Sequence, residues 1–440
     1  MLINKLILEI FNPGYSEALK RVFESERELF KNSTSTQKSK LNSILNHCIQ
    51  NVPFYKKIES TEQVSIHHFS VIDKEIIKTN FESFVAQNVT QKRRKKNSTS
   101  GSTGTNFFFY SDYKTDVYRD AFVNLGENWA GANISERKLI IWGAERDMIN
   151  NSLKKKLINS KFLFNTKMIS SYHMTNEDIE KNIIPTIKSF KPKVIVGYPS
   201  SLGYIAEYIL KNNIKLNIDL KGVITSGESL SIFNREIIES AFATKVFNRY
   251  GCRDVGPIAH ECKEHKGLHV FSDHVYIEIL NEKGEECMPG EIGEIVVTDL
   301  DNFVFPFIRY KIGDIGKWAT YECTCGRKLP LLESVEGRTF DLIIGTNNNR
   351  VPGNYFTLLR NKLKGIDQFQ IIQERVGLLE VRLKVNEEYH ESSDTKLIAL
   401  MKEKLGDDMN IKVKHVPNLD TTISGKFRWV VSNINLYEKY

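Results

Sequence analysis

Residues 97–105 read Asn-Ser-Thr-Ser-Gly-Ser-Thr-Gly-Thr. Such small and hydroxyl side chains leave successive backbone N–H groups free to wrap a phosphate. No Gly-Lys-Ser/Thr follows, so this is not a Walker P-loop, and by composition alone the run would equally suit a flexible loop. Four later segments carry groups fit for the same ligand. Thr225-Ser-Gly-Glu-Ser-Leu230 closes a predicted strand, the place where open α/β sheets bind ligands. Phe247-Asn-Arg-Tyr-Gly-Cys-Arg-Asp254 sets an aromatic ring, a glycine and a carboxylate close together. Arg309-Tyr-Lys-Ile-Gly-Asp-Ile-Gly316 holds an aspartate in what reads as a glycine-bracketed turn. Thr421-Thr-Ile-Ser-Gly-Lys-Phe-Arg428 puts a lysine behind a flexible Ser-Gly. Taken singly, each also suits an ordinary solvated loop.

The elements that must position these groups follow from periodicity. Residues 15–95 read largely as helices, with one over 35–49 stopped by Asn51-Val-Pro-Phe-Tyr55. Short β-rich runs at 138–142, 193–196 and 222–225 alternate with helical segments, which predicts βαβ units and a mainly parallel sheet. Strands then cluster at 269–271, 276–280, 294–298 and 317–320, a barrel-like β region. Strands at 369–373, 378–385 and 410–415, with a helix at 394–405, suit a small α+β domain. The expected organisation is a large domain over 1–337, helical over 1–95, and a small C-terminal domain over 338–440.

Bulk properties agree with a chain of this kind. Its 440 residues can bury a substantial core, and 41% hydrophobic with 26% charged residues is ordinary for a globular protein. The net charge is +7, and its densest basic cluster is QKRRKK at 91–96. No aromatic residues interleave that cluster, so a solvated basic loop is favoured over a nucleic-acid site. Residues 1–13 are too short and too charged to span a bilayer and suit an amphipathic helix. The expectation is a cytoplasmic chain with no transmembrane segment, whose six cysteines serve a metal or packing rather than disulfides.

In order and spacing the five segments resemble the adenylate-forming superfamily of acyl-CoA ligases, luciferases and peptide-synthetase adenylation domains. Asn51-Val-Pro-Phe-Tyr55, Gly197-Tyr-Pro-Ser200 and Cys323-Thr-Cys-Gly-Arg327 narrow the resemblance to phenylacetate–CoA ligases and the CapK-type capsular-polysaccharide branch. The resemblance implies attack of a carboxylate on the α-phosphate of ATP, giving acyl-adenylate and pyrophosphate, then displacement of AMP by an acceptor. It implies that Thr99, Ser100, Gly101, Ser102, Thr103 and Gly104 hold the outer phosphates. Ser226, Gly227, Glu228, Arg249, Tyr250 and Gly251 frame the nucleotide, Tyr250 by stacking on adenine. Asp314 takes the ribose hydroxyls with Arg338 close by, and Asp254, with Thr103, is the candidate for Mg²⁺. Lys426 would bridge the attacking carboxylate and the α-phosphate. The acid would lie against Trp142, Gly197, Tyr198, Pro199, Ser200, Ser226 and Gly227.

Departures from the family pattern are visible. The phosphate loop ends Gly104-Thr-Asn106 and lacks a following Pro-Lys, for which Lys95 or Lys96 would substitute. Asp254 stands where glutamate is usual, and Phe340 where the hinge between domains usually carries a polar residue. Relatives also suggest a structural zinc on Cys262, Cys323, Cys325 and a histidine, with His269 preferred over His265 and His260; reduced thiols without metal are the alternative. Cys252 reads as pocket wall. The acceptor is expected to be an amine, giving an amide in surface-polysaccharide synthesis. The alternatives are coenzyme A, giving a thioester, and a non-catalytic descendant that binds nucleotide without turnover.

Overall fold

The computed structural model describes residues 14–29, 34–58, 64–100, 106–134, 136–142, 165–171, 174–338, 342–347, 350–352, 356, 363–390, 392–419, 430–432 and 434. The expected helix over 1–13 lies outside them. Helices α1 (Tyr15–Leu29) and α2 (Thr34–Asn51) come first, and α2 stops where Val52 takes the extended conformation demanded by Pro53. A six-residue helix α3 (Lys74–Thr79) starts at Asp73, whose carboxylate accepts the Ile76 N–H at 2.8 Å. Strands β1 (Lys95–Ser100) and β2 (Asn106–Ser111) pair antiparallel, and helix α4 (Tyr113–Trp129) follows behind an Asp112 cap. This hairpin lies just past the segment read as helical, where the sequence reading placed only a loop over 97–105, because its first strand is the polar run Lys-Lys-Asn-Ser-Thr-Ser.

An 11-stranded sheet forms the body of the protein. Its parallel half comprises β3 (Lys138–Trp142), β4 (Thr166–Ser170), β5 (Val194–Gly197), β6 (Gly222–Ser226) and β7 (Val246–Cys252), in the order β4-β3-β5-β6-β7. Both β5 and β6 are buried along their whole length, which is why they read as uninterrupted apolar runs. Helices α5 (Ile184–Phe190), α6 (Pro199–Lys211) and α7 (Ile232–Phe242) bury a common core against one face. The opposite face carries Ile140, Val196, Ile224 and Phe247.

Beyond β7 the sheet continues antiparallel through β8 (Gly256–Glu261), β9 (Leu268–Val270), β10 (Val275–Leu280), β11 (Gly293–Asp299), β12 (Tyr310–Trp318) and β13 (Leu331–Arg338), in the order β7-β8-β9-β13-β12-β11-β10. Three strands separate β7 from β12, roughly 19 Å in a flat sheet. Yet Tyr250 on β7 hydrogen-bonds Asp314 on β12, so this half curls strongly. The curl wraps a core of Val270, Ile277, Ile295, Phe307 and Leu332, into which α2 and the 53–89 segment pack. The expected turn around Asp314 is instead the middle of β12. The strand is interrupted there by a register shift against β13, and Gly313 takes a φ of +89° that other residues rarely adopt.

The C-terminal part forms its own sheet, β18-β17-β16-β19, from β16 (Ile366–Arg375), β17 (Leu378–Val385), β18 (Asn410–His415) and β19 (Val430–Ser432). With helix α8 (Ser392–Leu405) and a small pair, β14 (Leu342–Ile344) and β15 (Arg350–Pro352), it encloses a separate core around Phe369, Val381 and Met401. No helix among the described residues is long and apolar enough to cross a membrane.

Candidate active site

The carboxyl ends of the parallel strands gather three of the expected segments, 197–200, 225–230 and 247–254. Strand β5 runs into Tyr198, and Pro199 opens α6 at its first turn, where a missing N–H costs nothing. Strand β6 runs into Gly227, whose φ of +83° suits glycine, and then Glu228. The Glu228 carboxylate accepts the Ser200 N–H at 3.0 Å, tying the Tyr-Pro-Ser and Ser-Gly-Glu segments together. Trp142, at the end of β3, lies 4.2 Å from Tyr198 between ring centroids. The proposed acid-pocket residues are thus neighbours.

Next to them, the Tyr250 hydroxyl donates to Asp314 Oδ2 at 2.8 Å. Arg338 on β13 is the register partner of Asp314. Asp254 follows β7 and is 2% exposed. Its Oδ2 accepts from the Tyr310 hydroxyl at 2.8 Å and lies 3.4 Å from Lys74 Nζ. Its Oδ1 is buried with no hydrogen-bond partner among the described residues, leaving a lone carboxylate oxygen for a hard cation. Burial, aided by Asp254, holds the Tyr310 phenol protonated far above its ordinary range, so it remains a donor. Burial, with Asp254, also pushes the Cys252 thiol up to about 12; it is an inert wall, in keeping with the sequence reading.

The β1–β2 hairpin holds both roots of the phosphate loop, with Ser100 opposite Asn106. Gly101, Ser102, Thr103 and Gly104 lie outside the described residues. Thr99 pairs with Phe107, and its hydroxyl is buried without a partner among the described residues. Of the substitute lysines foreseen from sequence, Lys95 is bound to Asp116, and Lys96 lies 4.4 Å from the centroid of the exposed Phe108 ring. The lysine beside Asp254 is Lys74, which also sits 5.5 Å from the Phe107 ring centroid at the loop's root. Sequence reasoning missed it, because 180 residues separate it from its partner and no motif marks it. The other basic residues of 91–96 are partly spent on structure: Arg93 pairs with Asp112 at 2.9 Å, and Arg94 donates to the Val89 carbonyl.

Arg249 does not join the nucleotide group. Alternation along β7 puts Phe247 and Arg249 on one face and Tyr250 on the other. Residues 339–341, including Phe340, and Lys426 lie outside the described residues.

Near the outer edge of β9, the ligand atoms of Cys262, His269, Cys323 and Cys325 all lie within 4.8 Å of one another. Cys262 Sγ is 3.6 Å from Cys323 Sγ, and Cys325 Sγ is 3.3 Å from His269 Nε2. Tetrahedral zinc with ~2.3 Å bonds to sulfur and ~2.0 Å to nitrogen sets such pairs about 3.8 and 3.5 Å apart. Burial and nearby Arg327 push the His269 imidazole down to about 4, keeping it neutral and able to ligate. The donor set therefore fits zinc in type, number and spacing. His265 is turned elsewhere, to Glu261 at 3.2 Å, and His260 Nδ1 meets the Glu261 carbonyl at 2.7 Å.

With this geometry in hand, comparison with known proteins is informative. The family profile of the CapK C-terminal domain matches residues 343–433. Protein CapK of Staphylococcus aureus is 27% identical over 96% of this chain and 93% of its own length. Phenylacetate-coenzyme A ligase of Thermus thermophilus is 31% identical over 45% of this chain and 46% of its own. Among solved structures, 2-hydroxyisobutyryl-CoA ligase in its postadenylation state superposes with a TM-score of 0.72 at 19% identity, over 93% of this chain and 89% of that one.

Proposed function

The chain belongs to the adenylate-forming enzymes, in the phenylacetate–CoA ligase-like CapK branch, and from that premise we propose that it activates a carboxylic acid with ATP and passes the acyl group to an amine. The observation that carries the reading is the convergence of Tyr250, Asp314 and Asp254 at the carboxyl ends of the sheet, beside the roots of the phosphate loop. In this reading Tyr250 stacks on adenine, with Ser226, Gly227 and Glu228 framing its edge, and Asp314 accepts the ribose hydroxyls. Residues 99–104 bind the β- and γ-phosphates. The uncommitted Oδ1 of Asp254, with Thr103, would hold Mg²⁺, which neutralises phosphate charge when bound. Lys74 adds a second positive charge at that carboxylate.

The acid's carboxylate oxygen attacks the α-phosphorus, the bond to the β-phosphate oxygen breaks, and pyrophosphate leaves. Lys426 offsets charge between the two reacting anions. The acceptor nitrogen then attacks the acyl carbon, AMP departs, and the amine proton is released to solvent. The small domain beginning at 338 turns between these steps, so that Lys426 attends only the first. We assign the product to surface-polysaccharide synthesis and the reaction to the cytoplasm, where ATP is supplied. Coenzyme A is the second reading for the acceptor, favoured by the likeness to phenylacetate-coenzyme A ligase. Cys262, His269, Cys323 and Cys325 would hold a structural zinc with no open coordination position.

Carboxylate-dependent exchange of labelled pyrophosphate into ATP, across aryl acids, amino acids and sugar acids, tests the first half-reaction. Trapping the acyl-adenylate with a set of amines or with coenzyme A then names the acceptor. ATP binding without exchange for any acid would leave a nucleotide-binding descendant. Failure to bind ATP would remove the assignment altogether.

A further inference from the structure

Four adjacent strands end in one row. Ile140, Val196, Ile224 and Phe247 occupy matched registers on β3, β5, β6 and β7 and share one small core. Two residues further on, the same face presents Trp142, Tyr198, Ser226 and Arg249, with Ser226 and Arg249 register partners. The row is about 14 Å long, the span of a small acid with a ring or short chain. Its first three members are those assigned above to the acid, and its fourth is a cation.

Arg249 has no visible internal purpose. Among the described residues its guanidinium has no hydrogen bond and no ion pair. The carboxylate that acts on it, Glu127, is already bound by Lys138. Its register partner on the other side, His260, is pushed by burial to about 4 and so is neutral. Arg249 is half-buried, and partial removal from water lowers its pKa. Tyr250 and Asp314, assigned above to adenine and ribose, meet on the other face of β7.

We propose that Arg249 pairs with a second anionic group on the substrate, so that the acid activated here is a dianion: a reacting carboxylate, a ring or short apolar body lying along Trp142 and Tyr198, and a distal carboxylate or sulfonate held by the guanidinium. The proposal rests on the adenylation reading for the fate of the reacting carboxylate, but not for the pairing itself. Arginine suits this task because its planar fork meets two oxygens at once. A monoanionic analogue would cover the guanidinium without pairing it, so the site discriminates against it.

The test is calorimetric titration, in the presence of a non-hydrolysable ATP analogue, of matched pairs that differ only in the distal charge. 4-Carboxyphenylacetate is compared with 4-carbamoylphenylacetate, 4-sulfophenylacetate with 4-sulfamoylphenylacetate, and glutarate with glutaramate. We expect at least one dianion to bind about 100-fold tighter than its monoanionic partner. Arg249→Ala should reduce that ratio to about threefold or less, and Arg249→Lys should retain part of it, with affinity for the ATP analogue as the check on folding. Monoanions binding as tightly as dianions, a preference that survives Arg249→Ala, or no binding by any dianion would each overturn the proposal. Pyrophosphate exchange on the same samples separates the two claims. An Arg249-dependent preference without exchange retains the pairing and removes adenylation; exchange with monoanions that is indifferent to Arg249 does the reverse.

Discussion

Tyr250 on β7 reaches Asp314 on β12 at 2.8 Å although three strands lie between them in the sheet. The curl that permits this contact brings together a ring and a carboxylate from strands four places apart in the sheet, the pair proposed above to hold one nucleotide. Tyr250→Phe keeps the ring and deletes the contact. We expect catalytic efficiency for ATP in pyrophosphate exchange to fall about tenfold, and Tyr250→Ala to fall about tenfold further as stacking is lost. Equal losses for the two variants would show that the ring does not stack on adenine.

Asp254 and Lys74 should act as a unit. Asp254→Asn preserves the shape and the Tyr310 contact while removing the charge that would hold the cation. Exchange should drop at least about 100-fold, with an increased requirement for Mg²⁺. Lys74→Ala should cost about 10- to 100-fold in exchange, and the double variant should cost less than the product of the two. A fully multiplicative double variant would show that the two groups act independently.

Lys426→Ala should abolish adenylation while leaving ATP affinity within about threefold, because the role proposed above gives the lysine to the reacting anions and not to the nucleotide base. Transfer from chemically supplied acyl-adenylate should persist in this variant. Undiminished exchange would end the assignment of that lysine.

Metal analysis of protein from zinc-replete cells should return about one zinc per chain. Substituting Cys323 by serine should lower both zinc content and melting temperature. Zinc below about a tenth of an equivalent would leave four reduced, packed side chains in its place.

Acid should loosen the anchor of α2. Lys40 on this helix pairs with Asp301 at 2.7 Å, and His274 meets the other Asp301 oxygen at 2.7 Å. Burial acts upward on Asp301, but Lys40 and His274 outweigh it and hold the carboxyl down to about 2. A carboxylate lowered on folding contributes stability above its unfolded value near 3.9, and that contribution fades as pH falls towards 2. For Asp301 it amounts to about 2–3 kcal/mol, partly offset by neighbouring Asp273, which burial shifts upward. Melting temperature measured from pH 5 to pH 2.5 should therefore fall more steeply in the wild type than in Asp301→Asn. Parallel curves would contradict the pairing as a source of acid sensitivity.

Much of the architecture was legible from the chain. Apolar runs such as Lys138–Trp142 and Gly222–Ser226 gave the parallel strands, and their order placed the Ser226-Gly-Glu228 turn at a ligand-binding edge. Polar or glycine-bearing strands were not legible. β1 carries no apolar residue, and glycines at 313 and 316 made β12 resemble a turn. Contacts between distant residues were hidden for a different reason: Lys74 meets Asp254, and Tyr310 meets it too, through tertiary packing that no local period encodes. The motif at 247–254 was found, but not the division of its two faces, since Arg249 and Tyr250 are adjacent in sequence and opposed in space.

That opposition sets how this enzyme can change over generations. A substitution at 249 alters which acid is admitted and leaves the adenine seat intact, so selectivity can drift one codon at a time. A deletion of one residue between 247 and 250 would invert the pleat, presenting the phenol to the acid and the guanidinium to the nucleotide. β7 is thus open to change at 249 and fixed in its length.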